Sequence, residues 1–160
     1  MNDNNPKAVK EGTKGIVVTT DVARFDLDRI FAFLHRDAYW CRGLPRPVFD
    51  RSIEHSLCFG AFMPGGEQAG FARVISDRAT FAHLCDVFVF PAWRGRGIGK
   101  ALVEAVLAHP DLRGLRRLTL STSDASRLYA RYGFRPPARP ERLMEITNPK
   151  AYEGKEGAPA

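Results

Sequence analysis

Three glycines, Gly95, Gly97 and Gly99, alternate with cations and an aliphatic residue in the run Arg94-Gly95-Arg96-Gly97-Ile98-Gly99-Lys100. Glycine lets backbone N–H groups approach a ligand closely and accepts positive φ. An apolar, strand-like segment, residues 80–90, precedes the run, and an amphipathic helical pattern, residues 98–107, follows it. The glycines therefore fall on a strand-to-helix turn. The first turn of a helix has unpaired N–H donors and a partial positive charge, so the chemistry on offer is anion binding, above all of a phosphate or pyrophosphate.

Two phosphate motifs fail against these residues. A P-loop needs glycine where Arg94 stands and a hydroxyl residue where Ala101 stands. The dinucleotide fingerprint needs G-x-G-x-x-G and a carboxylate about twenty residues on; here the spacing is G-x-G-x-G, and residues 116–120 hold no carboxylate. A third pattern, [QR]-x-x-G-x-[GA], is satisfied by residues 94–99. It resembles the acetyl-coenzyme A signature of the GNAT superfamily of N-acetyltransferases. A second stretch, Ala125-Ser126-Arg127-Leu128-Tyr129-Ala130-Arg131-Tyr132-Gly133-Phe134, is similar to that superfamily's A-x-x-L-Y-x-K-x-G-F segment, with Arg131 in place of the usual lysine.

The elements that must position these motifs are legible as β α α β β β α β α β. Residues 15–20 are β-branched and strand-like, and a helix over 27–34 is capped by Asp26 or Asp28. A short helix over 48–55 leads to strands over 56–63 and 68–76 joined by Pro64-Gly65-Gly66-Glu67. The longest strand, 80–90, is apolar on both faces, which places it inside a covered sheet. After the helix that Pro110 ends come a strand over 115–121, a helix over 125–132 capped by Asp124 and stopped at Gly133, and a last strand over 143–147. This is an α/β layer fold. The domain spans 15–147, between an N-terminal tail, 1–14, and a C-terminal tail, 148–160, both read as flexible.

The resemblance covers residues 16–147. It implies the GNAT fold: a mixed, mostly antiparallel central sheet of about six strands covered by helices. Its strands 4 and 5 (residues 80–90 and 115–121 here) splay around the cofactor. It implies acetyl-CoA as cosubstrate and no metal. The pantetheine arm would pair with backbone groups of Val87, Phe88 and Val89, and the pyrophosphate would lie on the amides of Arg94, Gly95, Arg96, Gly97, Ile98, Gly99 and Lys100. Arg131 would reach the nucleotide phosphates. Tyr129 would serve as general acid toward the CoA thiolate, since a phenol of pKa about 10 stays protonated at neutral pH. A backbone N–H of the central strand would hold the tetrahedral oxyanion.

Asp86 is a carboxylate in a strand that otherwise reads as buried, so it needs a partner or a task. The task would be to draw a proton from the acceptor amine or to orient it; the partner would be an arginine such as Arg73. His83, on the opposite face of a regular strand, is a reserve base unless a bulge changes the facing. Tyr39 and Trp40, at the edge of a Pro- and Gly-bearing loop, are candidate substrate contacts.

The resulting expectation is direct acetyl transfer from acetyl-CoA to the primary amine of a small molecule. Cys85 is the one thiol near the motifs that would argue for a covalent route. Two other readings stay open: a peptide or protein N-acetyltransferase of the same fold, and a non-catalytic module that binds coenzyme A or nucleic acid. A net charge of +6 suits polyanions generally. The charge is spread along the chain, no nucleic-acid motif accompanies it, and nucleic acid is not an expected partner. Cys41, Cys58 and Cys85 lack metal-type spacing and read as free thiols in a reducing cytoplasm. The first fifteen residues lack an apolar signal-peptide core, no membrane span is expected, and a homodimer is common among similar folds.

Overall fold

The computed structural model describes residues 9–11 and 15–153. One six-stranded sheet runs in chain order: β1 (Val9–Glu11), β2 (Val17–Thr19), β3 (Leu57–Phe62), β4 (Gln68–Ser76), β5 (Phe81–Val89) and β6 (Arg117–Leu120). Neighbours from β1 to β5 are antiparallel, and β6 lies parallel to β5. Helices α1 (Leu27–Arg36) and α2 (Arg46–Glu54) separate β2 from β3, α3 (Ile98–Ala108) joins β5 to β6, and α4 (Ser126–Ala130) follows β6.

The sheet is buried on both faces. On one face, Ile98, Leu102, Val103 and Val106 of α3 pack against Val18, Phe59, Val74 and Leu84, and Tyr129 of α4 joins this cluster. On the other, Ile30, Phe33 and Leu34 of α1 and Phe49 and Ile53 of α2 meet Cys58, Phe71, Phe88 and Phe90. Phe33 stacks on Phe88 with ring centroids 4.1 Å apart, which ties α1 to the C-terminal end of β5. Asp26 caps α1 by accepting a hydrogen bond from the Arg29 amide at 2.9 Å, as the residue types imply.

Several expectations are corrected. Residues 143–147 form no strand; the sixth strand is instead β1, within the stretch read as an N-terminal tail. Residues 1–8 and 12–14 lie outside the described residues. Asp124 does not cap α4. The Ala125 amide donates to Thr122 Oγ1 at 3.0 Å instead, because the hydroxyl sits three residues back. The expected stop at Gly133 is present: Gly133 takes φ +87°, and the Phe134 amide returns to Tyr129 O at 3.3 Å. At the C-terminal end, residues 148–153 form two successive turns and bring Tyr152 against the core cluster beneath α1 and α2, so this part of the presumed tail is anchored. Residues 154–160 lie outside the description.

Candidate active site

Two irregularities of β5 create the site. The first is its register with β6, which runs only from Phe81–Arg117 to Leu84–Leu120. Beyond Leu84, β5 continues to Val89 with that edge open. The Phe90 amide donates to Ala69 O at 3.0 Å, so Val89, one residue out of phase, directs its N–H and C=O away from β4 and into the opening. Val87 shares that direction, whereas Phe88 turns its backbone to β4 and its ring into the core. The Val89 carbonyl is already in use: Arg94 Nε donates to it at 3.2 Å.

The second irregularity is a bulge. Phe71 faces Phe88 and Arg73 faces Cys85, so β5 carries one residue more than β4 across this interval. Asp86 lies at the bulge with φ +50°, an uncommon conformation for a residue with a side chain. Leu84 and Val87, three residues apart, consequently both face α3. Asp86 is turned to the α1–α2 face with Arg73 and His83. In a regular strand His83 and Asp86 would oppose each other; here they share a face.

Asp86 has both oxygens engaged. Arg73 Nε donates to Oδ2 at 2.7 Å, and Trp40 Nε1 donates to Oδ1 at 3.0 Å. The two charged side chains are only 15% and 11% exposed. Arg73 also donates to Ser56 Oγ at 3.0 Å. Arg73 is thus the partner that a buried Asp86 required; burial works against the guanidinium charge, but the Asp86 carboxylate beside it leads the influences that outweigh burial and raise the pKa. His83 pairs through Nδ1 with Thr119 Oγ1 at 2.8 Å, and burial, with Arg73 nearby, lowers its pKa. Burial also pushes Cys41, Cys58 and Cys85 up to about 12, so none is a thiolate at neutral pH.

Tyr39 and Trp40 leave the end of α1 in an edge-to-face pair, centroids 5.0 Å apart. Tyr39 Oη is hydrogen-bonded to Ser123 Oγ, which links the loop after α1 to the loop before α4. These two aromatics stand on the Asp86 side of the opening. Ser123, Ser56 and Thr119 carry no sequence signal of their own; only the topology brings them here.

At the far end of β5 the glycine turn is exposed from Arg94 to Gly97. Gly95 and Gly97 take φ +76° and +87°, and Gly97 starts α3 without a side-chain cap, so its first amides are available to a ligand. A Cβ on Gly99 would stand 3.8 Å from Leu128 and 3.9 Å from Val89. The start of α3 thus borders both β5 and α4. Arg96 lies over the Trp93 ring at 4.8 Å, while Lys100 and Arg131 are exposed. Tyr129 is 7% exposed, and its hydroxyl makes no hydrogen bond among the described residues. Burial, then the fields of Asp124 and Tyr39, push it up to about 12. A cavity of about 860 Å³ alongside β6 is lined by Tyr129, His83, Thr119, Leu120 and Phe134. Among the described residues, no helix is long and apolar enough to cross a membrane.

Residues 54–136 match the family model described as an acetyltransferase (GNAT) domain. A Gibberella zeae protein named as an acetyltransferase is 32% identical over 136 residues, covering 72% of this chain and 76% of that protein. A crystal structure from Xanthomonas campestris pv. campestris, assigned to the GNAT family, is 54% identical with a TM-score of 0.84, covering 89% of this chain and 99% of that one. A GNAT family acetyltransferase from Elizabethkingia anophelis with acetyl-CoA bound shares the fold at 18% identity and a TM-score of 0.50, covering 66% of this chain and 74% of that one. The open-edged β5, the glycine turn and these matches agree, and the chain belongs to the GNAT family of acetyltransferases.

Proposed function

We propose that the protein transfers an acetyl group from acetyl-CoA directly to the primary amine of a small molecule. The observation that carries this reading is the open edge of β5 from Cys85 to Val89, ending at an exposed glycine turn that starts a helix. The residues fit the cosubstrate. Val87 and Val89 offer backbone groups to an extended amide-bearing arm, and the Arg94–Val89 bond shows that the carbonyl accepts a donor from the open side. The amides of Arg94 to Lys100 suit a pyrophosphate, with Arg96, Lys100 and Arg131 adding positive charge. An acetyltransferase of the same fold carries acetyl-CoA.

Acetyl-CoA supplies an activated thioester. We assign the Val87 N–H, beside the bulge, as the donor to the oxyanion formed when the amine adds to the carbonyl. Tyr129 supplies the donor for the departing sulfur. Its raised pKa keeps the hydroxyl protonated throughout the neutral range. An ordinary thiol has a pKa of about 8.5, so complete transfer from this phenol is uphill, and Tyr129 acts chiefly by hydrogen-bonding the developing thiolate. Asp86, with both oxygens committed, orients the amine and offsets its positive charge rather than taking its proton. His83, kept neutral by burial, is the uncharged base on the same face. His83 takes the proton that leaves the adduct nitrogen as the C–S bond breaks, and a proton returned through solvent to the thiolate held by Tyr129 completes the amide and the free CoA thiol. The raised thiol of Cys85 favours this direct route over an acetyl-cysteine intermediate.

The Tyr39–Ser123 link narrows the opening on the acceptor side, which favours a small amine over a peptide that would need an open groove. The test is thiol release from acetyl-CoA across a panel of alkylamines, arylalkylamines, amino acids, polyamines and short peptides, with mass spectrometry of the product. Acetylated small amine and stoichiometric free thiol are expected; no release with any acceptor would contradict the reading.

A further inference from the structure

Every residue from 135 to 150 is exposed, whereas Ala151 and Tyr152 are half-buried. The landing point of this exposed arm is specific. The Tyr152 Cβ lies 3.8 Å from the position a Cβ would take on Gly43, in the loop between α1 and α2. Gly43 has φ +80°, so glycine provides the turn against which Tyr152 lies at ordinary van der Waals distance. Tyr152 packs against the same cluster as Cys41, Phe88 and Phe90. Its hydroxyl also senses Cys41, Asp86 and Arg73 electrostatically, although the main influence on it is burial. The arm starts at Phe134, whose ring lies edge-on to Tyr129 at 5.8 Å. It therefore runs from beside the tyrosine of α4 to the loop that carries Tyr39 and Trp40.

We infer that Tyr152 is a specificity-determining residue, a third aromatic wall of the acceptor site beside Tyr39 and Trp40, which limits the acceptor to compact amines. The inference rests on the acetyl-transfer reading for the identity of the site, and on packing alone for the position of the wall. Aromatic rings beside a carboxylate suit an amine that arrives as its ammonium form. Nothing in the Gly-, Lys- and Ala-rich C-terminal sequence marks this role except one aromatic among small and charged residues.

The experiment uses the full chain as wild type, Tyr152→Ala and Tyr152→Phe. The first readout is the rate of N-ethylmaleimide labelling at Cys41, resolved from Cys58 and Cys85 by peptide mapping. Removing the ring should speed labelling several-fold, and Phe should retain the protection. The second readout is kcat/KM for amines of increasing bulk, with acetyl-CoA affinity measured on the same samples. Tyr152→Ala should shift preference toward bulky arylalkylamines and leave acetyl-CoA affinity unchanged; Tyr152→Phe should keep the wild-type ranking. Unchanged Cys41 labelling, or faster labelling with an unaltered amine ranking, overturns the inference. Faster labelling in a protein that acetylates no amine supports the wall and overturns only the acetyl-transfer reading beneath it.

Discussion

Arg73 and Asp86 form a nearly buried ion pair, 2.7 Å between Nε and Oδ2, that joins β4 to β5 at the residue where β5 bulges. The pair holds a carboxylate at the mouth of the site and fixes the strand irregularity that frees the neighbouring N–H. Removing one member leaves the other charge without its partner. Asp86→Leu should cost about 3–5 kcal/mol of stability, and Arg73→Met a comparable amount. The double variant Arg73→Met/Asp86→Leu should recover most of that loss without restoring turnover. Urea denaturation of the four proteins in the cycle checks this. Strictly additive losses would show that the pair is not coupled.

Tyr129 is predicted to act on the chemical step alone. Tyr129→Phe keeps the ring packed against Phe134 and removes only the hydroxyl. The value of kcat should fall by about 100-fold, with acetyl-CoA affinity and unfolding midpoint within error of wild type. Single-turnover thiol release combined with calorimetry separates the two effects. An unchanged kcat would remove the hydroxyl from the reaction.

Stability should decline in mild acid. His109 is fully buried against Phe59; its Nε2 has no partner among the described residues, and its Nδ1 accepts from the Asp111 amide. Burial is the main cause lowering its pKa below the ordinary 6.5, with Arg78 in the same direction and Asp111 opposing. The unfolded chain then binds protons that the folded chain refuses. Stability is complete above pH about 6.5 and is lost as pH falls toward the folded value. His83, also lowered, contributes with the same sign. The urea midpoint should drop between pH 7.5 and pH 5, and His109→Gln should flatten that slope. An identical slope in the variant would contradict this.

The glycine turn, the tyrosine helix and five of the six strands were readable because each rests on local chemistry: positive-φ glycines, a C-terminal helix stop, apolar alternation. What failed was non-local. Residues 143–147 have strand-like side chains, but strand formation depends on a neighbouring edge, and none is paired with them. Val9–Glu11 looks like tail because its partner, β2, is what makes it a strand. The pairing of Asp86 with Arg73 could be named as an option from charge and burial. Choosing it, and seeing that His83 shares the face, needed the bulge. Tyr152 was invisible in sequence because its contacts lie more than a hundred residues away in the loop around Cys41 and Gly43.

On the proposed function, the exposed turn and the open strand edge hold acetyl-CoA. The most direct measurement is a calorimetric titration of acetyl-CoA into the wild type and Gly97→Ala. At φ +87°, a Cβ on residue 97 strains the turn by about 1–2 kcal/mol and shifts the amides that start α3. One site per chain is expected in the wild type, with affinity at least about tenfold weaker in Gly97→Ala, a loss of about 1.4 kcal/mol. Absence of binding to the wild type, or equal affinity in both proteins, would contradict it.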